Sequence, residues 1–562
     1  MRKGLGVRLV AGISALVATA ALVSACGDDG PPTIHYVVDA TVDSYNANTV
    51  AGNANGVVMA TARVLPGFSL LGAAGQVTPD RDMATATVLP GPDLAVRYDI
   101  NPEAVFSDGT AVDCDDVVLA WAAMSGRYPG FTPATTAGYR DISAVDCAAG
   151  DKAVTVRFAP GRAYRDWAGL FGAGTLVPAQ VVARQAGVPD VVAPIRAGDR
   201  NAVGKIARAW NTGLDLQPGP IDEARLPSSG PYRVDRYSTS GGLVLVPNPR
   251  WWGDRPKADR IVIWGRDTED ASDRVGGEGH GVVDITGGLV PAADATADAS
   301  GAWAPQRASG VQELVLSQRG VFGDPLVRQA FASCLPRDDL ARRFGQGAQI
   351  WNLRSLAPSN ALAGQLNSAF GQRYLRADIG RSRTLLGQRA TATDGSTQPP
   401  VRVRIGYRAP APRWGEMVAV IADSCRRAGI AVDDAGGTDW SPSGLGRTAD
   451  AALVAGGAST AAAGAAVPTR DSYQLHARDP LNLGGFQSGA VTSAIDTLAV
   501  VDNAGERLRL TRAVENAAWG DVASVPLFAA PRIQRTSGVA NVVPGQSRTG
   551  TGWNMDRWIL EG

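Results

Sequence analysis

At 562 residues the chain is too long for one hydrophobic core, and two to four domains are expected. Apolar residues make up 45% and aromatics 6%, enough to bury real cores and to exclude wholesale disorder. Lys and Arg number 54 and so do Asp and Glu, so the basic excess of a typical nucleic-acid binder is missing.

The N-terminus carries the sharpest local signal. Arg2, Lys3 and Arg8 form a positive region, followed by the apolar stretch LVAGISALVATAALVSA and Cys26. That order reads as a secretion signal over residues 1–25. LVSAC resembles a bacterial lipobox, with small Ser24 and Ala25 before the cysteine. The resemblance implies cleavage before Cys26 and lipidation of Cys26, leaving 26–33 as a tether. The competing reading is a transmembrane anchor, for which about 17 apolar residues are marginal. The mature protein is expected on the extracytoplasmic face of the cytoplasmic membrane, held there by lipid.

Four further cysteines permit three connectivities. Export favours disulfides, and proximity in sequence suggests Cys114–Cys147 and Cys334–Cys425. There is no Cys-x-x-Cys, and the three histidines, His35, His280 and His476, are far apart. Neither a metal site nor a cofactor is expected.

Along the chain, IHYVV opens as a strand and runs into a polar loop, DATVDSYNANTV. LAVRYDI alternates as a strand, SDG turns, and Asp113 with Asp116 three residues on reads as a capping box. Val117, Trp121 and Met124 then form one apolar stripe, so the acids Asp113, Asp115 and Asp116 read as a helix start rather than a metal site. KAVTVRFAPG (152–161) reads as a strand, and 163–183 as a helix, a loop and a second helix. SSGPYRVDRYSTSGGLVLVPNPRWWGDRP (228–256) is a hairpin ending in two tryptophans, and ADRIVIWG and GVVDITGGL are further strands with a turn. The pattern resets near 311. VQELVLSQ is a strand, and DPLVRQAFASCLPRDDLARRFGQG begins a helix with Asp324 and Pro325 well placed. YLRADIGRSRTLLGQRA is helical. VRVRIGY, the helix in RWGEMVAVIADSCRRAGIAV and its closing strand predict a mostly parallel sheet. ADAALVAGG is a strand, ASTAAAGAAVPT a flexible loop, 492–500 and 504–519 helices, and SVPLFAAPR a strand. The tail GTGWNMDRWIL must pack somewhere through its tryptophans.

Four stretches in this order resemble extracytoplasmic solute-binding proteins of the dipeptide/oligopeptide class, the receptors of ABC importers. VFSDGTAVDCDDVVLAW resembles that family's Phe-Ser-Asp-Gly and acidic helix start. SGPYRVDRY with LVLVPNPRWWG resembles its Gly-Pro-Tyr strand and Asn-Pro-x-Tyr-Trp-Gly hairpin end. DPLVRQAFASCLPRDDL resembles its Val-Arg-x-Ala helix, and VPLF its late Pro-Leu-Phe strand. The resemblance spans nearly the whole mature chain. It implies an α/β, periplasmic-binding-protein-like clamshell of two lobes with an additional small domain. Lobe I would comprise 34–62, 190–305 and 533–562, the small domain 63–189, and lobe II 306–532. It further implies a monomeric, non-enzymatic receptor that holds a small solute such as a peptide between its lobes and delivers it to ABC permease subunits. Val42, Tyr45 and Asn46 fall where the family lines its cleft, and Trp440, Asp471, Tyr473 and Asn482 lie on loops expected to face it.

The chain departs from the pattern where specificity is set. Many members carry an Asp in a Trp-x-x-Asp-Tyr-like segment that pairs with the peptide amine. Here VAGGASTAAAGAAVPTRDSY holds no acid before Asp471, so either Asp471 takes that part or the usual anchor is absent. Pro336 likewise stands where the family has Asp. The missing anchor keeps a second reading open: a solute-binding-like scaffold acting on an envelope lipid, glycan or protein partner without import. A hydrolase is disfavoured, since neither Gly-x-Ser-x-Gly nor His-Glu-x-x-His occurs and SPSGLG (441–446) lacks the elbow.

Overall fold

The run IHYVV, rich in β-branched and aromatic residues, forms the central strand Ile34–Val38. It pairs in parallel with Ile261–Trp264 on one side and Gly281–Ile285 on the other. The computed structural model describes residues 32–72, 75–266, 268, 281–285, 304–306, 310–391, 400–456, 468–545 and 548–561. The expected leader 1–25, Cys26, the turn at 286–289 and the loop 458–467 lie outside them. Among the described residues no helix is long and apolar enough to cross a membrane.

Residues from 32 onward form one unit with three main sheets. The first has eight strands in the order Ala304–Gln306, Arg532–Ser537, Gly281–Ile285, Ile34–Val38, Ile261–Trp264, Gly242–Pro247, Tyr232–Ser238 and Gly219–Pro220. The second has five: Ile430–Asp434, Val401–Gly406, Ala451–Ala455, Val311–Leu316 and Ser524–Ala529. The third is antiparallel: Ala84–Val88, Ala95–Ile100, Ala153–Phe158 and Ile142–Asp146. This is the two-sheet α/β clamshell architecture with an added small sheet.

The five-stranded sheet is mixed rather than mostly parallel. Val401–Gly406 pairs in parallel with both neighbours, but Val311–Leu316 runs against Ala451–Ala455 and Ser524–Ala529. A β-α-β crossover imposes parallel order only on the strands it joins, and Val311–Leu316 is joined directly to neither of its partners.

The helix Cys114–Met124 starts on a complete capping box: Asp113 Oδ1 accepts from Asp115 N at 2.9 Å, and Asp116 Oδ2 from Asp113 N at 3.1 Å. Asp116 Oδ1 also accepts from Ala179 N, so the acidic cluster is spent on backbone donors. The helix expected after Ala163 is only a 3-10 turn, Trp167–Gly169, because Phe171 takes a positive φ of 55° and glycines surround it. The helix expected from Tyr374 starts at Ile379, where Asp378 Oδ1 accepts from Arg381 N. Pro336 splits its segment into helices Pro325–Cys334 and Arg337–Phe344, as a residue without an N–H must. Cys114 is bonded to Cys147 and Cys334 to Cys425.

The hairpin Tyr232–Ser238/Gly242–Pro247 is entered through Gly230, where a Cβ would lie 2.2 Å from Arg63 O. Only glycine fits so close an approach. Trp251 and Trp252 beyond the hairpin are partly exposed and pack on each other at 4.4 Å. Trp252 Nε1 donates to Asp82 O at 2.6 Å, tying the hairpin end to the turn before the third sheet. In the tail, Trp558 is fully buried edge-on against Tyr36.

Candidate functional site

The loop after the central strand reaches the short helix Val50–Ala54, capped by Thr49. Its side chains do two jobs. Val42, Tyr45 and Asn46 are buried and hold the loop in place: Tyr45 OH lies 3.4 Å from Ser228 Oγ, and Asn46 Nδ2 donates to Trp210 O at 2.7 Å. Asn46 Oδ1 in turn accepts from the backbone and side chain of Asn48. Ala47, Asn48 and Asn53 instead face a cavity with ≈ 790 Å³ of atom-free space.

The cavity's other walls come from far along the chain. Leu70, Leu71, Met124 and Leu170 are apolar, Tyr139 and Tyr164 aromatic, and Asp166, Arg470, Arg548 and Thr549 polar. Arg470 Nη2 and Arg548 Nη1 both donate to Asn53 Oδ1, at 2.7 and 2.6 Å. Burial pulls the Arg548 guanidinium down to about 9, with the charge of Arg470 adding to it. Burial also lowers Arg470, against the opposing pull of Asp471 and Asp479. Burial raises Tyr139 to about 12. Asp166 Oδ2 accepts from Thr469 N at 3.2 Å and from Thr469 Oγ1.

Polar clasps hold these walls together. Asp479 Oδ2 accepts from both the N and the Oγ1 of Thr136 at 2.8 Å. Arg162 Nη1 donates to Asp496 O, and Arg165 N to Ala499 O. The segment 469–499 is thereby bound to the segment 136–166.

The remaining predicted residues do not line this cavity. Asp471 follows Arg470 and is buried. Tyr473 stacks on His476 at 5.1 Å with the rings 12° apart. Asn482 donates to Phe486 O and accepts from Phe486 N, which closes its own loop. Trp440 lines a second, smaller cavity of ≈ 390 Å³ with Asp39, Arg266 and Trp414. There the buried Arg266 pairs with Asp39 and lies over the Trp414 ring. The sequence reading missed Asn48, Asn53, Arg470 and Arg548. The one available signal was an arginine just beyond each of two Gly-rich loops, in VPTRDSY and PGQSRTG.

Among the described residues, the cavity lining includes no histidine and no cysteine, and His476 and Ser443 lie outside it. His476 Nε2 sits between Arg140 Nη1 at 3.0 Å and Asp496 Oδ1 at 3.3 Å. In SPSGLG, Ser443 Oγ donates to Ser441 Oγ. No metal-binding group of His, Cys, Asp and Glu occurs among the described residues. The lining combines apolar walls with a few polar and charged side chains, the composition typical of a ligand-binding pocket.

Comparison with known proteins agrees. An uncharacterized lipoprotein of Mycobacterium tuberculosis is 37% identical over 99% of this chain and 98% of its own length. The oligopeptide-binding protein OppA of the same species is 32% identical over 39% of this chain and 32% of its own length. Among solved structures, a periplasmic EDTA-binding protein, EppA, superposes with a TM-score of 0.73 at 19% identity, covering 95% of this chain and 98% of its own. Haemophilus influenzae OppA in complex with the peptide RPPGFSPFR gives 0.71 at 15% identity, covering 95% and 100%. The family model for bacterial extracellular solute-binding proteins, family 5 (middle), matches residues 80–472. The chain belongs to the bacterial extracellular solute-binding proteins of family 5.

Proposed function

We propose that this protein is the lipid-anchored substrate-binding component of an ABC importer, holding a peptide or peptide-like solute between two lobes and presenting it to permease subunits. One observation carries the reading: the pocket with ≈ 790 Å³ of atom-free space is lined by side chains remote in sequence, among them Asn53, Leu70, Tyr139, Asp166, Arg470 and Arg548. Such a site changes shape when its walls separate, so a solute that prefers the closed form draws the lobes together. Lobe I is taken as 34–62, 190–305 and 533–562, the small domain as 63–189 and lobe II as 306–532. Full-length similarity to a mycobacterial lipoprotein supports a lipid anchor at Cys26. Partial similarity to an oligopeptide-binding protein supports the solute class. The family and fold are those of binding proteins, and the protein acts by reversible binding as a monomer.

Native mass spectrometry of the gently purified chain tests this. A bound mass that is released on partial unfolding is expected, and its identity separates peptide from lipid or glycan. A bare chain, together with unchanged peptide uptake after deletion of its gene, would sink the importer reading and favour a scaffold role.

A further inference from the structure

We propose that the cavity with ≈ 790 Å³ of atom-free space chooses its solute by apolar surface: it takes a side chain of the leucine, methionine or phenylalanine kind and turns away charged and strongly polar ones. The inference rests on the reading of the protein as a solute receptor and names the part of the solute that the cavity selects.

Most polar side chains in the wall are already engaged by the protein itself. Asn48 Nδ2 donates to Asn46 Oδ1 at 3.0 Å and to Gly174 O at 2.7 Å. Asn53 Oδ1 accepts from both Arg470 and Arg548. Thr135 Oγ1 accepts from Ala137 N, the Tyr139 hydroxyl from Phe171 N, and Asp166 Oδ2 from Thr469. The cations are likewise met from within the protein: Asp471 and Asp479 act on Arg470, and Asp471 acts on Arg548. A solute group that brought a charge or a strong dipole into the cavity would leave water and find few free partners.

The apolar part of the wall has no such prior engagement. Leu70 and Leu71 come from the strand Ser69–Leu71, Met124 ends the helix Cys114–Met124, and Leu170 precedes the turn at Phe171. Leu170 and Tyr164 are fixed in place: at Gly138, where φ is 77°, a Cβ would lie 2.7 Å from the Tyr164 ring and 2.9 Å from Leu170 Cδ2. Packed so closely on backbone, these two side chains have no room to draw back. Met124, unbranched, supplies the adaptable part of the surface. A neighbouring groove gives the contrast. It shares Leu70, yet carries Arg81, Asp82, Asp556 and Arg557. Affinity in the cavity therefore comes mainly from apolar surface taken out of water, at about a factor of four for each buried methylene.

Equilibrium dialysis of the full chain against three probes tests the selection: a pool of tetrapeptides built from Leu, Val, Met and Phe, a pool with the same free termini built from Ser, Asn, Asp and Lys, and laurate. The apolar pool is expected to bind about 30-fold or more tightly than the polar pool. Met124→Gln and Leu170→Asn, each close in volume to the parent residue, are each expected to cut that preference about tenfold, whereas Leu70→Met keeps most of it. Laurate retained where neither peptide pool is retained supports apolar selection with an acyl chain as its source. Equal retention of the two pools, or a preference for the polar one, overturns the selection and leaves the receptor reading intact. No retention of any probe also overturns it, and the receptor reading is then decided separately by the native mass spectrum. Melting temperatures report folding. A polar variant that melts as the parent does and keeps the full preference overturns the role given to its side chain. If both polar variants unfold, the parent's discrimination between the two pools still decides.

Discussion

Asp284 and Arg532, 248 residues apart, form a bidentate pair inside the eight-stranded sheet. Arg532 Nε donates to Oδ1 at 2.8 Å and Nη2 to Oδ2 at 2.6 Å. Thr551 adds its backbone N–H and its hydroxyl to Oδ2, and Arg532 also reaches Gly545 O. One carboxylate thus joins the strand Gly281–Ile285, the strand Arg532–Ser537 and the C-terminal turn. Burial works against its charge, but Arg532 and Thr551 outweigh burial and hold the group below the usual carboxylate range.

Asp284→Asn leaves the Arg532 charge buried without its partner. The expected loss is about 3–5 kcal/mol of stability, read by denaturant titration at neutral pH. The sign with pH follows from the depressed value. The pair's contribution is complete above the unfolded carboxylate range near 4 and is lost as pH falls through the lower folded value. The variant should therefore differ most from the parent near neutrality and least in strong acid. Equal stability at pH 7 would contradict this.

Glu313 is predicted to behave in the opposite sense. It lies fully buried on the strand Val311–Leu316, accepting from the Ser524 hydroxyl. Burial pushes its carboxyl up to about 7; Ser524 and Arg354 pull it down and the charge of Glu515 pushes it further up. Between about 4.5 and about 7 the folded chain keeps a proton that the unfolded chain has released, so this group's contribution falls as pH rises through that window. Glu313→Gln should remove that slope. At pH 8 the variant should be more stable than the parent by about 1–3 kcal/mol. A variant less stable at pH 8 would mean that the ionised carboxylate is needed by its neighbours.

The two disulfides should differ in access rather than in value to the fold. Their sequence separations of 33 and 91 correspond to about 4 and about 5 kcal/mol of loop entropy. Cys334 and Cys425 are both fully buried, whereas Cys147 is partly exposed. A thiolate must reach a sulfur to exchange with it. Under native conditions dithiothreitol followed by alkylation should label Cys114 and Cys147 first, and the second pair only when the chain unfolds. Peptide mapping that found equal labelling would disprove the difference.

Much of the fold was legible because short-range rules and tertiary packing agreed. The capping box at Asp113, the hairpin ending at Trp251 and Trp252, and the proline stop at Pro336 are all local signals. Sheet direction was not legible, since the antiparallel placement of Val311–Leu316 depends on partners more than a hundred residues away. The site was hardest. The family pattern points to the acid Asp471, while the cavity is lined by its neighbour Arg470, and Arg548 arrives from the far end of the chain. Two cations that meet only in the folded state leave no periodic trace in sequence. Tyr45 and Asn46 show the converse: polar residues in a promising loop that serve to fix the backbone from which Asn48 and Asn53 line the cavity.

Asp479 offers a direct test of how the cavity walls are held together. Its buried Oδ2 accepts from Thr136 N and Thr136 Oγ1, both at 2.8 Å, and its Oδ1 accepts from Leu481 N at 3.0 Å. One carboxylate therefore shapes its own loop and also binds the segment that carries Ala134, Thr135 and Ala137 into the cavity wall. Asp479→Ala removes the acceptor and strands the Thr136 amide, at about 1–3 kcal/mol for a buried donor left unpaired. If the clasp governs local opening, the exchange of the Thr136 amide should speed up about tenfold or more while strands of the eight-stranded sheet keep their protection. Asp479→Asn, which keeps an oxygen acceptor, should fall between the two. Equal acceleration throughout the molecule would show that Asp479 supports the whole fold. Unchanged exchange at Thr136 would show that the wall is held by Arg162, Arg165 and Asp166 without it.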